Sequence, residues 1–260
     1  MQNKQKAVME ALAAFFLMMV SQSFFLTAFQ SLLGADAAAS NRALILGLSH
    51  LFLLAVLALM TAKLGHPFYR EPDLTHRAGT LPVVLCLLMG LAANLALSAG
   101  VSLLPLSDDF VAQYLQAVPM GKGATLVVDV LALCILAPIS EEILFRGIIL
   151  RGFRQTMPLG AAVLLQCLLF AYGHGQLLWF LYAFAMGLAL TALRVVTGSL
   201  RTTMAFHIAF NAANYLQQPL LDSLGGGDRA LGILLCGGTL LCVVTALLLA
   251  KRRNRQANGK

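Results

Sequence analysis

Long apolar segments alternate with short polar connections along almost the whole chain. About eight segments approach or exceed the roughly 20 residues that an α-helix needs to cross the hydrocarbon core of a bilayer. Because a backbone in lipid must satisfy its own hydrogen bonds, the pattern predicts an all-α fold, a polytopic transmembrane helix bundle. The predicted segments are approximately 7–33, 42–64, 80–104, 124–153, 158–173, 177–196, 200–217 and 229–250.

The composition agrees with a membrane protein. Hydrophobic residues make up 59% of the 260 residues and charged residues 11%, whereas soluble domains carry about 25% charged residues. No internal repeat, low-complexity tract or linker divides the sequence. We therefore expect residues 1–260 to form a single transmembrane domain.

The formal charge of +7 does not indicate nucleic-acid binding, because the basic residues cluster at segment ends and in the tail 251–255. That distribution is typical of topology signals and contacts with anionic lipid. With the N-terminus in the cytoplasm, about fifteen Lys and Arg residues fall on the cytoplasmic side, and only Arg42, Lys122 and Arg229 fall outside. The positive-inside rule thus favours about eight spans with both termini cytoplasmic. The lipid bilayer is the expected partner, and nucleic acid is not.

One apolar segment carries charged residues that need a reason. Glu141, Glu142 and Arg146 lie within the fourth segment, and an ionisable group at the bilayer centre costs about 2.5–3.5 kcal/mol on insertion scales. On a helix Glu142 and Arg146 share a face, while Glu141 points about 100° away. Arg146 is therefore predicted to neutralise Glu142 and leave Glu141 for chemistry. A buried ion pair that only fixes packing would explain Glu142 and Arg146, but not Glu141.

Two further polar clusters lie inside apolar segments. Phe170 precedes His174 by one turn late in the fifth segment, and His207 and Asn211 share a helix face in the seventh. An antiparallel hairpin turning near residues 157–158 would place Glu141 and His174 at the same level. His207 lies about 12 Å along its helix from the turn that precedes the seventh segment. Glu141 and His174 lie about 24 Å from the turn between their own two segments. The clusters coincide only if the turn at 151–157 projects beyond the membrane or the fifth helix is irregular.

A carboxylate, two imidazoles and an amide in a dry bundle form a hydrolytic constellation. Glu141 can take a proton from water that His174 orients, and His207 and Asn211 can donate hydrogen bonds to the carbonyl oxygen under attack. The alternative is a divalent metal such as zinc, held by Glu141, His174 and His207 with a position left for water. The residue types fit both mechanisms equally well.

Other polar and sulfur-containing residues have simpler interpretations. His50 in the second segment and Asn94 in the third are predicted to hydrogen-bond across helices. The five cysteines form no Cys-x-x-Cys pair and are interpreted as small hydrophobic residues. They are Cys86, Cys134, Cys167, Cys236 and Cys242.

The order Glu-Glu-x-x-x-Arg, Phe-x-x-x-His, His-x-x-x-Asn, each motif inside an apolar segment, resembles the CAAX prenyl endopeptidase and bacteriocin-processing family. These intramembrane proteases are also called the CPBP or Abi family. The resemblance covers about residues 124–217, the expected catalytic core.

The resemblance implies a role for each motif residue. Glu141 and His174 would activate the water, and His207 and Asn211 would form the oxyanion site. The remaining motif positions would be auxiliary; they are Glu142, Arg146 and Phe170. The family favours a glutamate-activated water without an obligatory metal, so no metal ligand is assigned and no cofactor is expected.

Two functions from different classes remain open. The first is an intramembrane endopeptidase that hydrolyses a peptide bond of a membrane-associated protein or peptide. In eukaryotes the family trims prenylated proteins, while bacterial relatives are linked to peptide processing, immunity and signalling. The compact length favours a multi-pass protein of the bacterial plasma membrane. The second is a non-enzymatic membrane protein: an immunity factor, a scaffold, or a proton-coupled transporter with Glu141 in its relay.

Overall fold

The structure is a computed structural model that describes residues 2–64, 78–107, 109, 112–113 and 125–258. All regular elements in these ranges are helical, which confirms the predicted all-α class. Residue 124, at the predicted start of the fourth segment, lies outside the described residues. The helices are α1 (Gln2–Leu33), α2 (Ala35–Ser40), α3 (Arg42–Leu64), α4 (Thr80–Ser102), α5 (residues 126–154), α6 (Leu159–Tyr172), α7 (Leu177–Thr197), α8 (Leu200–Ala212), α9 (Gln217–Ser223) and α10 (Gly227–Asn258).

Five helices of the described chain are long and apolar enough to cross a membrane. Their apolar side chains are largely exposed, and only 17% of the span in α10 is buried, as expected for helices that face lipid. α6 has 14 residues, a length of about 21 Å against the roughly 30 Å of a bilayer core. The predicted count of eight spans and the side of each terminus remain predictions. The five spans are Lys4–Leu33, Arg42–Leu59, Thr80–Ser102, Leu177–Thr197 and Gly227–Asn254.

The predicted seventh segment, 200–217, is shorter than expected. α8 ends at Ala212, and a 3-10 turn, Ala213–Tyr215, separates it from α9. Pro219 explains the interruption: it lies in the first turn of α9, where its missing amide hydrogen costs nothing, whereas inside one long helix it would remove a hydrogen bond.

The described chain forms two compact units. The first comprises the described parts of residues 1–76 and 109–191, and in it α3 packs against α1 and α5. Small residues allow the close approach of α3 and α5, since a Cβ on Gly47 would lie 2.8 Å from the Cβ of Ala132. Phe15 of α1 and Phe145 of α5 add an edge-to-face contact at 6.3 Å.

The second unit comprises the described parts of residues 77–108 and 192–260. Within it α4 packs against both α8 and α10. Glycines lie at both contacts: a Cβ on Gly90 would collide with the carbonyl oxygen of Phe206 in α8, and one on Gly238 of α10 would lie 2.6 Å from that of Ala92. Such close backbone approach is the usual packing mode of helices in lipid.

Candidate active site

The helix that carries the two glutamates changes its hydrogen-bonding register twice. α5 is continuous through residues 126–154, but two stretches of it are wider π-helix. The first ends just before Ala137 and Pro138, and the second begins at Glu142. Proline lacks the amide hydrogen that a regular α-helix needs, and π-helical stretches occur frequently at functional sites. Its parts are Leu126–Asp129, Val130–Leu136 (π), Ala137–Glu141, Glu142–Ile149 (π) and Leu150–Arg154.

Glu142 and Arg146 form a buried ion pair. Arg146 Nη1 donates to Glu142 Oε1 at 2.8 Å, and both side chains have no exposed surface. The same guanidinium donates from Nη2 to the carbonyl oxygen of Gly187 in α7 at 3.2 Å. Its carbon Cζ lies 4.5 Å from the centre of the Phe170 ring in α6, which is within cation–π range. The predicted pairing of Glu142 with Arg146 is therefore confirmed, and the pair links α5 to α6 and α7.

Glu141 has different surroundings from its neighbour. Its side chain is 14% exposed, and its Oε1 lies 3.7 Å from Nε2 of His50 in α3. His50 Nδ1 in turn lies 2.6 Å from the Ser140 hydroxyl. The predicted hydrogen bond of His50 across helices is confirmed. The partner, Ser140, was not predicted from the sequence.

The imidazole of His174 is held in one tautomer. Its Nδ1 lies 2.9 Å from the carbonyl oxygen of Phe170. Because a carbonyl oxygen only accepts, Nδ1 must carry the hydrogen, which leaves Nε2 of the neutral ring as an acceptor. The ring also packs edge-on against Phe170, at 4.9 Å, and against Trp179, at 5.7 Å. Gly175, with φ of 76°, completes the turn after α6, a conformation that glycine adopts readily.

Phe170 contacts both charged and aromatic residues of the first unit. Its ring is 1% exposed and lies edge-on to Phe145 at 5.0 Å. Together with Arg146 and His174, it forms a continuous packed row from α5 to the end of α6. Phe170 therefore connects Arg146, which neutralises Glu142, to His174, whose ring is held by the carbonyl oxygen of Phe170 itself.

His207 and Asn211 lie on α8 in the second unit. His207 is 1% exposed, and Asn211 follows it by one turn. The Asn211 carbonyl oxygen accepts from Asn214 Nδ2 at 3.0 Å, and Asn214 Oδ1 accepts from Asn94 Nδ2 of α4 at 3.2 Å. The predicted hydrogen bond of Asn94 across helices is confirmed. Its partner Asn214 was missed, because a contact 120 residues apart leaves no local signal.

The structure assigns the predicted site residues to two units. Glu141 and His174 belong to the first unit, as do the three auxiliary residues, whereas His207 and Asn211 belong to the second. The convergence of all four around one water remains a prediction. Within the described ranges, no group of three or more His, Cys, Asp or Glu side chains is placed to hold a metal ion. The predicted metal set, Glu141, His174 and His207, draws on both units.

These features define a class of protein. The chain is a multi-pass helical membrane protein. In it the carboxylate of Glu141, on one apolar helix, faces the imidazole of His50 on another. Residues 123–213 match the family described as Rce1-like, type II CAAX prenyl endopeptidase Rce1-like. The match contains all three motifs and nearly coincides with the expected core at 124–217. The predicted resemblance to CAAX proteases is thus confirmed over this segment.

One similar protein comes from Escherichia coli and is described as an uncharacterized 24.3 kDa protein. It is 39% identical over 89 residues, which are 32% of this chain and 40% of that protein. No solved structure matches the chain significantly.

Proposed function

We propose that this chain is an intramembrane endopeptidase that hydrolyses a peptide bond of a membrane-associated protein or peptide. One observation carries the proposal: Arg146 is bound to Glu142 at 2.8 Å, while the adjacent Glu141 is partly exposed and faces an imidazole. A purely structural ion pair has no need of Glu141. The match of residues 123–213 to the Rce1-like family supports the same reaction class.

In the proposed mechanism Glu141 is the general base. Its carboxylate takes a proton from water, the water oxygen attacks the peptide carbonyl carbon, and the proton passes to the amine nitrogen as the carbon–nitrogen bond breaks. His174 Nε2, an acceptor in the neutral ring, orients the water. His207 and Asn211 donate hydrogen bonds to the developing oxyanion.

The proposed mechanism uses no cofactor. The metal-bound alternative would use Glu141, His174 and His207 as ligands, and the hydrogen bond from His174 Nδ1 to a backbone carbonyl suits metal binding as well. Elemental analysis of the purified protein, with cleavage assays with and without chelator, separates the two mechanisms. Activity that persists in metal-free protein supports the glutamate mechanism, and activity restored only by zinc supports the alternative.

The proposed location is the bacterial plasma membrane, with eight spans and both termini in the cytoplasm. The exposed apolar helices and the basic tail support contact with lipid as the first partner. The second partner is the substrate, whose cleavage site would have to lie at or within the bilayer. The family description supports testing a prenylated peptide first.

The test of the proposed function compares matched variants in proteoliposomes. The probes are two quenched fluorescent peptides, one anchored by a prenylated C-terminal cysteine and one by an apolar helix. We expect Glu141→Gln to lower cleavage by about 10²–10⁴-fold, the range of general-base contributions, and His174→Ala and His207→Ala to abolish it. Glu10→Gln, at an exposed carboxylate, is the control and keeps full activity.

The outcome also decides between the two classes of function. If neither probe is cleaved, or if Glu141→Gln cleaves as fast as the wild-type protein, the endopeptidase proposal is wrong. A non-enzymatic role as immunity factor, scaffold or proton-coupled transporter then becomes the better explanation. A folding control is needed, and size-exclusion chromatography of each variant in detergent provides it.

A further inference from the structure

A buried polar row connects α3, which lies outside the family segment, to the glutamate helix. The row runs from Ser140 through His50 to Glu141. His50 is 3% exposed and Ser140 is fully buried. Residue 50 lies outside the matched residues 123–213, so the family match assigns it no role.

The proton positions in this row follow from the acceptors. The single hydrogen of the Ser140 hydroxyl has two candidate acceptors: the carbonyl oxygen of Ala137 at 2.9 Å and His50 Nδ1 at 2.6 Å. If the hydroxyl donates to Nδ1, the neutral ring carries its hydrogen on Nε2. If the hydroxyl instead donates to Ala137, Nδ1 must donate to the hydroxyl oxygen, and Nε2 of the neutral ring then carries no hydrogen. The first arrangement, which uses the shorter of the two distances, directs the Nε2 hydrogen toward Glu141.

We infer that His50 is a positioning residue that orients the Glu141 carboxylate for proton transfer, and that Ser140 sets the angle of the His50 ring. This inference rests on the proposed function. The separation of 3.7 Å between Nε2 and Oε1 is an ion-pair distance rather than a hydrogen bond. Contacts of catalytic groups are often long before substrate binds and tighten as charge develops. His50 limits the rotation of the carboxylate and thereby keeps it aligned with the water.

The competing explanation is purely structural: His50 and Ser140 only join α3 to α5. The two ring nitrogens separate these explanations, because Nδ1 contacts Ser140 and Nε2 faces Glu141. A glutamine side chain carries its amide nitrogen at about the position of Nε2, and an asparagine carries it at about that of Nδ1. His50→Gln therefore keeps the donor toward Glu141, while His50→Asn keeps the group near Ser140.

The experiment measures kcat and KM of full-length variants in proteoliposomes, with whichever anchored peptide the wild-type protein cleaves. We expect His50→Asn and His50→Ala to lower kcat by about 10- to 100-fold, the loss typical when the partner that orients a metal ligand is removed and here applied to a catalytic carboxylate, with KM unchanged. His50→Gln should retain most of kcat. Ser140→Ala, which removes only a hydroxyl group, should lower kcat less than His50→Asn. Ser49→Ala is the matched control, because Ser49 is a buried neighbour whose hydroxyl bonds within α3.

The inference is overturned if the Gln and Asn variants at position 50 have equal kcat per folded molecule, or if kcat falls only in proportion to thermal stability. Ser140→Ala provides a second reading should the position 50 variants fold poorly, since unchanged kcat in that variant also contradicts the proposed row. Glu141→Gln in the same membranes distinguishes the two levels of failure. If that variant stays active, the proposed function is wrong; if it is inactive while His50→Asn is normal, only the role of His50 is wrong.

Discussion

At the scale of single residues, the ion pair of Glu142 and Arg146 illustrates how a charge is accommodated inside an apolar helix. The guanidinium has a carboxylate at 2.8 Å, a carbonyl oxygen at 3.2 Å and an aromatic face at 4.5 Å. These three neighbours use the planar fork and the faces of the guanidinium, which lysine cannot reproduce. The pair is therefore a packing unit that connects three helices.

Breaking this pair from one side should destabilise the protein more than replacing both partners. Glu142→Gln leaves Arg146 charged and fully buried, at a cost of about 3–5 kcal/mol. The double variant Glu142→Leu with Arg146→Met replaces the charges by apolar groups of similar size and should lose less stability than the sum of its single variants. Thermal unfolding in detergent measures the wild type, Glu142→Leu, Arg146→Met and the double variant, with Glu142→Gln as a fifth protein. Strictly additive losses would contradict the coupling.

The sequence predicted this pair but not the partners of Glu141. A spacing of four residues places two side chains on one helix face whatever the rest of the fold does. His50 and Ser140 are 90 residues apart, and their contact depends on how α3 packs against α5. The separation of the two glutamates was therefore predictable, whereas the histidine that faces Glu141 was not.

At the scale of helices, the second unit depends on glycines where backbones approach closely. On α10, Gly238 faces α4: a Cβ built on it would lie 2.6 Å from the carbonyl oxygen of Ala92. A Cβ built on the adjacent Gly237 would have no atom within 4 Å. The two glycines share one helix and differ in what they meet. They therefore form a matched pair for testing the contact.

Gly238→Ala should destabilise the protein, because the new methyl group must push the backbone of α4 away, and overpacking typically costs about 1–3 kcal/mol. Gly237→Ala should leave stability unchanged or raise it slightly, since alanine favours the helix by up to about 1 kcal/mol. The melting temperature of each variant in detergent tests the difference. Equal melting temperatures for the two variants would mean that α4 and α10 do not pack at Gly238.

Hydropathy predicted where the helices lie, but not their internal register. The π-helical stretches of α5 leave the apolar pattern nearly unchanged, so a window average does not detect them. The end of α8 at Ala212 was missed for a related reason. The polar residues Asn211, Asn214 and Gln217 only dilute the apolar signal, whereas Pro219 and the side-chain hydrogen bond to the Asn211 carbonyl define the break.

At the scale of the whole molecule, the sequence motifs divide between two units. The family order places three motifs on the fourth, fifth and seventh segments, and the described chain places the first two in one unit and the third in the other. Local spacing determines the geometry within each motif. The relation between the two sets depends on the packing of whole helices, which single-sequence patterns do not encode.

The predicted membrane topology rests on the distribution of positive charges and can be tested directly. With eight spans and both ends in the cytoplasm, Lys4 and Asn254 lie inside the cell, and Asp36 and Asp228 lie outside. All four side chains are exposed, so each accepts a cysteine at little cost to packing. The background must lack the native cysteines, because Cys236 is exposed.

In intact cells a membrane-impermeant thiol reagent should label Asp36→Cys and Asp228→Cys, and it should label Lys4→Cys and Asn254→Cys only after the membrane is permeabilised. The expectation rests on the excess of lysine and arginine that the positive-inside rule assigns to the cytoplasm. An odd number of spans would place residues 4 and 254 on opposite sides and leave one of them labelled in intact cells.

Loss of a pair of spans between residues 36 and 228 would preserve this pattern. A fifth variant, Gln176→Cys, between α6 and α7, is therefore added and should be labelled from outside. Protection of that position in intact cells would mean that an odd number of spans, rather than the predicted four, lies between residues 36 and 176, and the eight-span topology would be wrong.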